Sequence, residues 1–436
     1  TFKLRQGVKW HDGKPFTSAD VQCTFDTLIG KRDSHWRKSP RKQWYGNLKE
    51  VTVAGPYEVR LRLGRPQPSF LSFLASGWTA IYPCHVDGPV MRRKPIGTGP
   101  FKFVESGGTD LIRLVKNRDY WKPGRPYLDG IDSRVVHSMA TRVLSFMAGE
   151  FDITGISDIN STNTVKDILK QAPKAICEST ATPITSIMVI NHKLPPFDNI
   201  KVRRAISLAL DREAFAATTQ GDGRVSGMML SPPYGAWGLS PEQLAKVPGY
   251  GKNVERNRAE ARKLMREAGY GPDNKLKTSY MVRLSIASGL IGGSLMADQL
   301  RSIYIEGDVE QKEYTIFQGA MMKGAYALGY HSTAAALDDP DVLFYERYTC
   351  TSMRNYSHYC NRETEAMIDE QSATVDPVKR KKLVQAIELK LQHDVAMPTL
   401  YMSTDKQCWY GKVKGFVKGA NSIQTHLRME DVWLDR

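Results

Sequence analysis

The sequence predicts an α/β fold in two lobes joined by two strands, and three observations carry that prediction. At 436 residues the chain exceeds the ~250–300 at which a single hydrophobic core usually stops growing. Short apolar, β-branched runs alternate along it with segments of helical periodicity. The stretch 184–215, ITSIMVINHKLPPFDNIKVRRAISLALDREAF, reads as a passage from one lobe to the next. Ile184, Ile187, Met188, Val189 and Ile190 form a run too short for a helix, as a strand buried on both faces would be. Pro195 and Pro196 stop it, Asp198 offers an oxygen to orphan amides, and Val202, Ala205, Ile206, Ala209 and Leu210 recur at helical spacing. On local evidence alone the same residues also fit an ordinary strand-to-helix turn.

From the start of the chain, Phe2, Leu4, Val8 and Trp10 fit two strand pieces about Gly7, with His11-Asp12-Gly13 as a turn. His11 beside Asp12 has the composition of a catalytic pair, but sequence neighbours seldom face one another on a regular element. Thr17 caps a helix, with Asp20 three residues on as its capping-box partner. Residues 51–63 break at Gly55-Pro56 into a hairpin. A short helix covers 69–75, and segment 78–82 offers Trp78 and Tyr82 to a cleft rim. Gly97-Thr98-Gly99-Pro100 precedes a strand, FKFV, rather than a helix, so it implies no phosphate cradle. A helix over 139–149 ends at glycine, and 151–153 returns to the sheet.

Beyond the passage, a helix is expected over 202–217 and a loop over 221–233, where Gly221-Asp222-Gly223 follows a helix, the wrong context for nucleotide binding. Asn253 caps a helix ending at Gly269. Strands are expected over 277–283, 308–313, 326–330 and 399–402, and helices over 289–303, 363–373 and 377–392. A second crossing near 403–407 assigns 1–183 with 404–436 to lobe I and 184–403 to lobe II. A lobe interrupted in this way is joined twice, which is the geometry of a hinged clamshell.

Composition narrows the function. Hydrophobic residues at 41% and charged residues at 25% are those of a soluble globular chain, and no apolar run approaches the ~18 residues a membrane span needs. The six cysteines are too few for a disulfide scaffold and include no CxxC, which disfavours a zinc ribbon or thioredoxin-like centre. Cys350 and Cys360 enclose a short polar loop and are either bridged, in an oxidising compartment, or two free thiols. A net charge of +15 invites a nucleic-acid reading, but the basic clusters 92–94 and 379–382 are short and separated. Zinc-finger spacing, an RNA-binding aromatic motif and a helix-turn-helix are all lacking. The basic clusters read instead as solvated faces, which would also favour an acidic ligand or an anionic membrane surface. The nine histidines form no HExxH, and GxSxG and GxxxxGK[ST] are absent. Asp338-Asp339, being sequence neighbours, define no glycosidase geometry. The expectation is therefore no catalytic residue, no metal and no cofactor.

Five blocks, in order, resemble one family. PPFDNIKVRRAISLALDRE (195–213) is similar to the "pPF.d..vR.Al..AiDre" segment of the peptide/nickel class of bacterial extracellular solute-binding proteins, family 5, the receptors of ABC importers. FKLRQGVKWHDGKPFTSADVQCTFD (2–26), IGTGPFKFVE (96–105), NRDYWKPGRPYLDGI (117–131) and ERNRAEARKLMREAGYG (255–271) agree with it. The resemblance implies a periplasmic-binding-protein-like clamshell of type II, large peptide-binding class. It implies a monomeric receptor in the periplasm that closes on an oligopeptide-like, dipeptide-like or other polar solute and hands it to an ABC permease. A further segment of lobe I, with any export signal, would precede Thr1, since TFKLRQG is not a signal peptide. Relatives often carry the Cys350–Cys360 bridge. A hydrolase or transferase acting on an oligosaccharide or peptide is the alternative.

For the ligand, residues 329–361 resemble the family segment "GW.aD..dP", whose aspartate meets the amino terminus of a bound peptide. Here that position falls on Ala336, counting back from Pro340, or on Thr333, counting forward from Gly329. Asp338 or Asp339 would have to serve in its place. Tyr330 replaces the family's Trp, Asn355 and Tyr356 match its Asn and the next residue, and Tyr401 matches a cleft-lining aromatic. Trp78 and Trp237 are further candidate walls, and His331 a candidate polar contact or metal-chelate ligand. Tyr330 and Tyr401 either line the cleft on opposite sides or belong to the core. Taken singly, such aromatics are more often core or surface packing than ligand walls, and a histidine such as His331 is more often a satisfied structural one.

Overall fold

The computed structural model describes residues 1–32, 39, 41–106, 110–156, 158–159, 161–220, 223–284, 287–335, 337–419 and 426–435. Gly221, Asp222 and Ala336 lie outside the described residues. At its centre is a sheet of five strands, β1 (Ala175–Ile190), β2 (Leu276–Arg283), β3 (Ile305–Lys312), β4 (Leu328–Ala334) and β5 (Thr399–Tyr410). Their order across the sheet is β5-β1-β4-β2-β3. β2 runs parallel to both β3 and β4, while β1 is antiparallel to β4 and β5.

The run that marks the sequence passage is buried on both faces because helices cover both. Met188 and Ile190 point into a core shared with Val202, Ala205, Ile206, Ala261, Met265, Met296 and Leu300. Ile187 and Val189 point the other way, to Phe317, Met321, Phe344, Ile368, Val384 and Ile387. Alternation at period two sends neighbouring residues to opposite layers. Outside the sheet, Leu48–Gly55 and Glu58–Leu63 form the expected hairpin, packed with helix Ser18–Ile29, whose Thr17–Asp20 capping box is present. Phe101–Ser106, Leu111–Lys116 and Gly130–Arg134 make a separate antiparallel sheet. Asn253 caps helix Val254–Glu267. Among the described residues no helix is long and apolar enough to cross a membrane.

Several elements differ from expectation for identifiable reasons. β1 begins at Ala175 rather than 184, and β5 runs on to Tyr410 rather than ending at 402, so the two expected crossings form one ribbon. It pairs from Ala175 with Tyr410 to Ile187 with Thr399, with register shifts between Thr399 and Tyr401 and between Met402 and Thr404. The first half of β1, AICESTATP, is polar and partly exposed, and its partner strand supplies the pairing that its own pattern does not announce. The helix expected over 202–217 is two, Ile200–Ala209 and Arg212–Gln220, because the Asp211 carboxylate accepts from the Ala214 N–H at 3.0 Å and starts a new one. Segment 151–153 contributes a single bridge, Ile153 to Trp409. All six cysteines are paired, Cys350–Cys360 together with Cys23–Cys84 and Cys177–Cys408. The last pair joins register partners of the ribbon, with Cα atoms 4.1 Å apart.

A second tie is polar. Two helices that follow β4, α1 (Pro340–Arg347) and α2 (Pro377–His393), converge on segment 65–69. The buried Arg380 of α2 donates from Nη2 to Ser69 Oγ at 2.7 Å, to Asp339 at 3.1 Å and to Asp341 at 3.4 Å. Asp341, wholly buried, also accepts from Gln67 (3.2 Å), Gln371 (2.5 Å) and Ser372 (2.7 Å). Ser69 donates to Asp339 at 2.7 Å, and Arg65 reaches Tyr345 at 2.7 Å and Asp369 at 3.1 Å. Residues distant in sequence thus share one dehydrated net in which each carboxylate is answered. Breaking a buried pair from one side costs about 3–5 kcal/mol, so Arg380→Met should lower the unfolding free energy in urea by about that much. Adding Asp339→Asn and Asp341→Asn should restore part of it, since the stranded charges are then gone.

Candidate functional site

Parallel strands β2 and β4 end at the same edge of the sheet, carrying Arg283 and His331–Ala334 there. Helix α1 begins beyond that edge, its start set by Asp339, whose carboxylate accepts from the Asp341 N–H at 2.9 Å. The last turn of α1 carries Glu346 and Arg347. The chain then doubles back through a loop clamped by Cys350–Cys360 and by Asn355, whose amide donates to the Thr349 carbonyl (3.1 Å) and the Tyr359 carbonyl (2.6 Å). That loop returns Arg354 and Tyr356 to the sheet, with the Tyr356 ring 5.4 Å from His331 and Phe317 on the imidazole's other flank at 5.3 Å.

Segment 41–78 approaches from the opposite side. Arg41 Nε lies 3.3 Å from Glu346, which also holds Arg354 at 2.5 Å. The Arg41 guanidinium rests 3.8 Å from the centroid of the Trp78 ring, and Trp78 remains 47% exposed. Arg283 lies over Tyr314 at 4.2 Å. One carboxylate therefore faces Arg41, Arg347 and Arg354, with Arg283 near enough to act on the same histidine. Arg347 is 5% exposed and makes neither a hydrogen bond nor an ion pair among the described residues. Burial disfavours its cation, with Glu346 opposing that effect. Burial first, and then the charges of Arg354, Arg347 and Arg283, push the His331 imidazole down to about 3, so it is neutral across the physiological range. Its ring nitrogens make no hydrogen bond among the described residues. Thr333, two residues along β4 and so on the same face, keeps a buried hydroxyl without a hydrogen-bond partner. The arrangement is cationic, walled by aromatic rings and supplied with unanswered donors, which suits an anionic group. No three His, Cys, Asp or Glu side chains among the described residues could hold a metal ion.

The eight residues singled out in sequence fall into three places. Trp78, His331, Asn355 and Tyr356 belong to the cluster just described. Tyr330 and Tyr401 do not stand on opposite sides of a cleft: both are buried in the core, their hydroxyls 2.8 Å apart, with Tyr330 also donating to Ser186 at 3.0 Å. Tyr330 follows the alternation of β4, which turns it away from His331 toward helix Ala287–Arg301. There a Cβ at Gly292 would sit 2.4 Å from its ring, so glycine is what lets the two pack. Trp237 and Asp339 join the Arg380 net, with the Arg380 guanidinium 4.7 Å from the Trp237 ring and the indole donating to the Asp338 carbonyl at 3.0 Å. Arg41, Arg283, Glu346, Arg347 and Arg354 were not singled out. The available signal was Arg347 at the end of an apolar helical run, DVLFYER, where a cation needs a reason.

Known proteins resemble this chain along nearly its whole length. The family model for bacterial extracellular solute-binding proteins, family 5 Middle, matches residues 1–355. The oligopeptide-binding protein AppA of Bacillus subtilis (strain 168) is 28% identical over 95% of this chain and 77% of its own length. Di/tripeptide-binding protein 1 of Pseudomonas aeruginosa (strain UCBPP-PA14) is 26% identical over 93% of this chain and 78% of its own. The periplasmic binding protein DppA of Helicobacter pylori, solved with the peptide STSA, superposes with a TM-score of 0.85 at 23% identity, covering 100% of this chain and 86% of that one. The fold is the type II periplasmic binding protein fold, and the resemblance carried by the five sequence blocks is borne out. The family is one of binding proteins rather than enzymes.

Two outcomes follow from the geometry. The unfolded chain protonates at position 331 below the ordinary histidine value of 6.5 while the folded chain resists down to about 3, so stability is lost as pH falls through that window. His331→Phe should flatten this decline by up to about 1.4 kcal/mol per pH unit, read from urea unfolding between about pH 4 and pH 7; parallel curves would sink the assignment. Tyr401→Phe strands the Tyr330 hydroxyl against one partner fewer and should cost about 1 kcal/mol of stability in the same assay.

Proposed function

The chain belongs to the bacterial extracellular solute-binding proteins, family 5, and from that premise we propose that it captures a small polar solute between two lobes, residues 1–183 with 404–436 and residues 184–403, and delivers it to an ABC permease. The hinge is placed where the β1–β5 ribbon is least regular, at Pro183, which lacks an N–H, and at the register shift between Met402 and Thr404. The observation that carries the reading is the Arg41–Glu346–Arg354 contact, which joins residues assigned to different lobes beside exposed Trp78 and buried His331. A solute touching both sides there gains affinity only in the closed state, and that difference is what shifts the population. Trp78, His331 and Tyr356 contact it, Asn355 shapes the loop, Tyr330 and Tyr401 stiffen the floor from the core, and Trp237 and Asp339 act with Arg380 where the lobes meet.

The names of the relatives, an oligopeptide-binding and a di/tripeptide-binding protein, support peptide-like cargo. The receptor acts as a monomer in the periplasm and leaves its solute chemically unchanged. A hydrolase or transferase would need a general base beside its nucleophile, and Glu346 is already engaged by two guanidinium groups. Native mass spectrometry of the purified protein and of its mixtures with a peptide library should find one solute per chain and no product after incubation. X-ray scattering should show the radius of gyration falling when solute binds. Trp78→Ala should raise Kd about tenfold, the loss of an aromatic contact worth ~1–2 kcal/mol, with the apo melting temperature nearly unchanged because Trp78 is exposed. Turnover, or a rigid molecule that does not contract, would overturn the receptor reading.

A further inference from the structure

A buried arginine without a partner is an unusual thing to leave in a folded chain. Taking a cation out of water costs several kcal/mol unless an anion or a set of acceptors answers it. Arg380 is answered in full by Asp339, Asp341 and Ser69. Arg347 is as deeply buried and makes no hydrogen bond or ion pair among the described residues; the one carboxylate acting on it, Glu346, is already paired with Arg41 and Arg354. Around it are further donors in the same condition. Arg283 Nε and Thr333 Oγ1 are buried without hydrogen-bond partners, and the His331 imidazole lies between two rings with its nitrogens unengaged. Donors and positive charge converge there, and among the described residues the carboxylate facing them, Glu346, is already shared by Arg41 and Arg354.

The carboxylates nearby point the same way. An incoming ammonium would need a free one, as an incoming anion needs a free cation. Glu346 is held by Arg41 and Arg354. Asp339 and Asp341 are held by Arg380, with Ser69, Gln67, Gln371 and Ser372 filling their remaining lone pairs. Asp369 is bound by Arg65 and Tyr345. Asp338 accepts one neutral N–H, from Ala236, and lies beside Trp237 at the Arg380 net, outside the charges that act on His331. At position 333 the side chain is a hydroxyl.

We propose that this receptor recognises an organic acid: the solute's carboxylate is bound by Arg347, with Arg283, Thr333 and His331 as further donors, and no ammonium group is required of it. The inference rests on the receptor reading above and adds to it the class of solute, a carboxylic acid whose nitrogen, where it has one, can be acylated or absent. A planar guanidinium meets a carboxylate through two parallel hydrogen bonds. The half-dehydrated site strengthens them, because the competing water is already gone.

The test uses the whole protein and three defined probes, trialanine, N-acetyl-trialanine and trialanine amide, beside native mass spectrometry of whatever solute accompanies the purified chain. Trialanine and N-acetyl-trialanine should bind within about threefold of one another. The amide should bind at least about tenfold more weakly, a charged hydrogen-bond pair having been lost. Arg347→Met should erase the preference for acid over amide while its apo form unfolds in urea no more easily than wild type, because an uncompensated buried charge has been removed. Arg347→Lys should keep part of the preference.

An amide that binds as well as the acid, a requirement for the free ammonium, or a cationic co-purified solute overturns the proposal and leaves the receptor intact. A marked loss of apo stability in Arg347→Met also overturns it, since Arg347 is then structural. If no probe binds and no solute accompanies the protein, the receptor reading falls and the proposal falls with it.

Discussion

Everything in this molecule hangs from the pairing of β1 with β5. Two long strands run side by side from Ala175 and Tyr410 at one end to Ile187 and Thr399 at the other, stapled by Cys177–Cys408. The far half of β1 is the second strand of the central sheet, held on its other edge by β4. The near half packs with Val143, Phe146, Ile159 and Ile168, a core of its own. A ribbon shared by two cores transmits any relative movement through its least regular residues, and here those are Pro183 and the register shift after Met402. A bend at those residues breaks few ladder hydrogen bonds, because Pro183 has no N–H to donate, its carbonyl accepting from Ala335, and the shift has already interrupted the pairing with β5.

The electrostatics separate structure from binding by the state of two arginines. Arg380 and Arg347 lie on helices of the same layer and are buried to the same degree. Carboxylates and hydroxyls close around the first, which makes it a fastening between segment 65–69 and the α1–α2 region. The second faces a cluster with an excess of cations and an imidazole kept neutral by burial and by the neighbouring guanidinium groups. The overall charge of +15 is thus not only a property of solvated surfaces, for part of it stands at the end of β2 and β4, where parallel strands deliver side chains to a common edge.

How far the chain could be read in advance varied with how local the information was. The helix caps at Thr17 and Asn253, the hairpin at Gly55-Pro56 and the buried run at 187–190 were legible, because each is specified by residues within a few positions of one another. The near half of β1 was not, because AICESTATP becomes a strand only when β5 lies beside it. The Arg212–Gln220 helix was merged with its predecessor because Asp211 as a cap looks like any aspartate within a helix until the amide it accepts from is known. Tyr330 and Tyr401 carry a family signal for cleft walls, yet the pleat turns Tyr330 inward and Gly292 gives it room, a contact between residues 38 apart that no periodicity encodes.

The amino-acid order by itself determined the class of fold, the family and the two-strand connection. Those depend on motifs and on hydrophobic spacing, which are properties of contiguous residues. Only the tertiary structure decided where charge is left unbalanced. Whether an arginine is paired or free depends on which carboxylates arrive beside it from elsewhere in the chain, and Arg380 and Arg347, equally basic as letters, differ only in that respect.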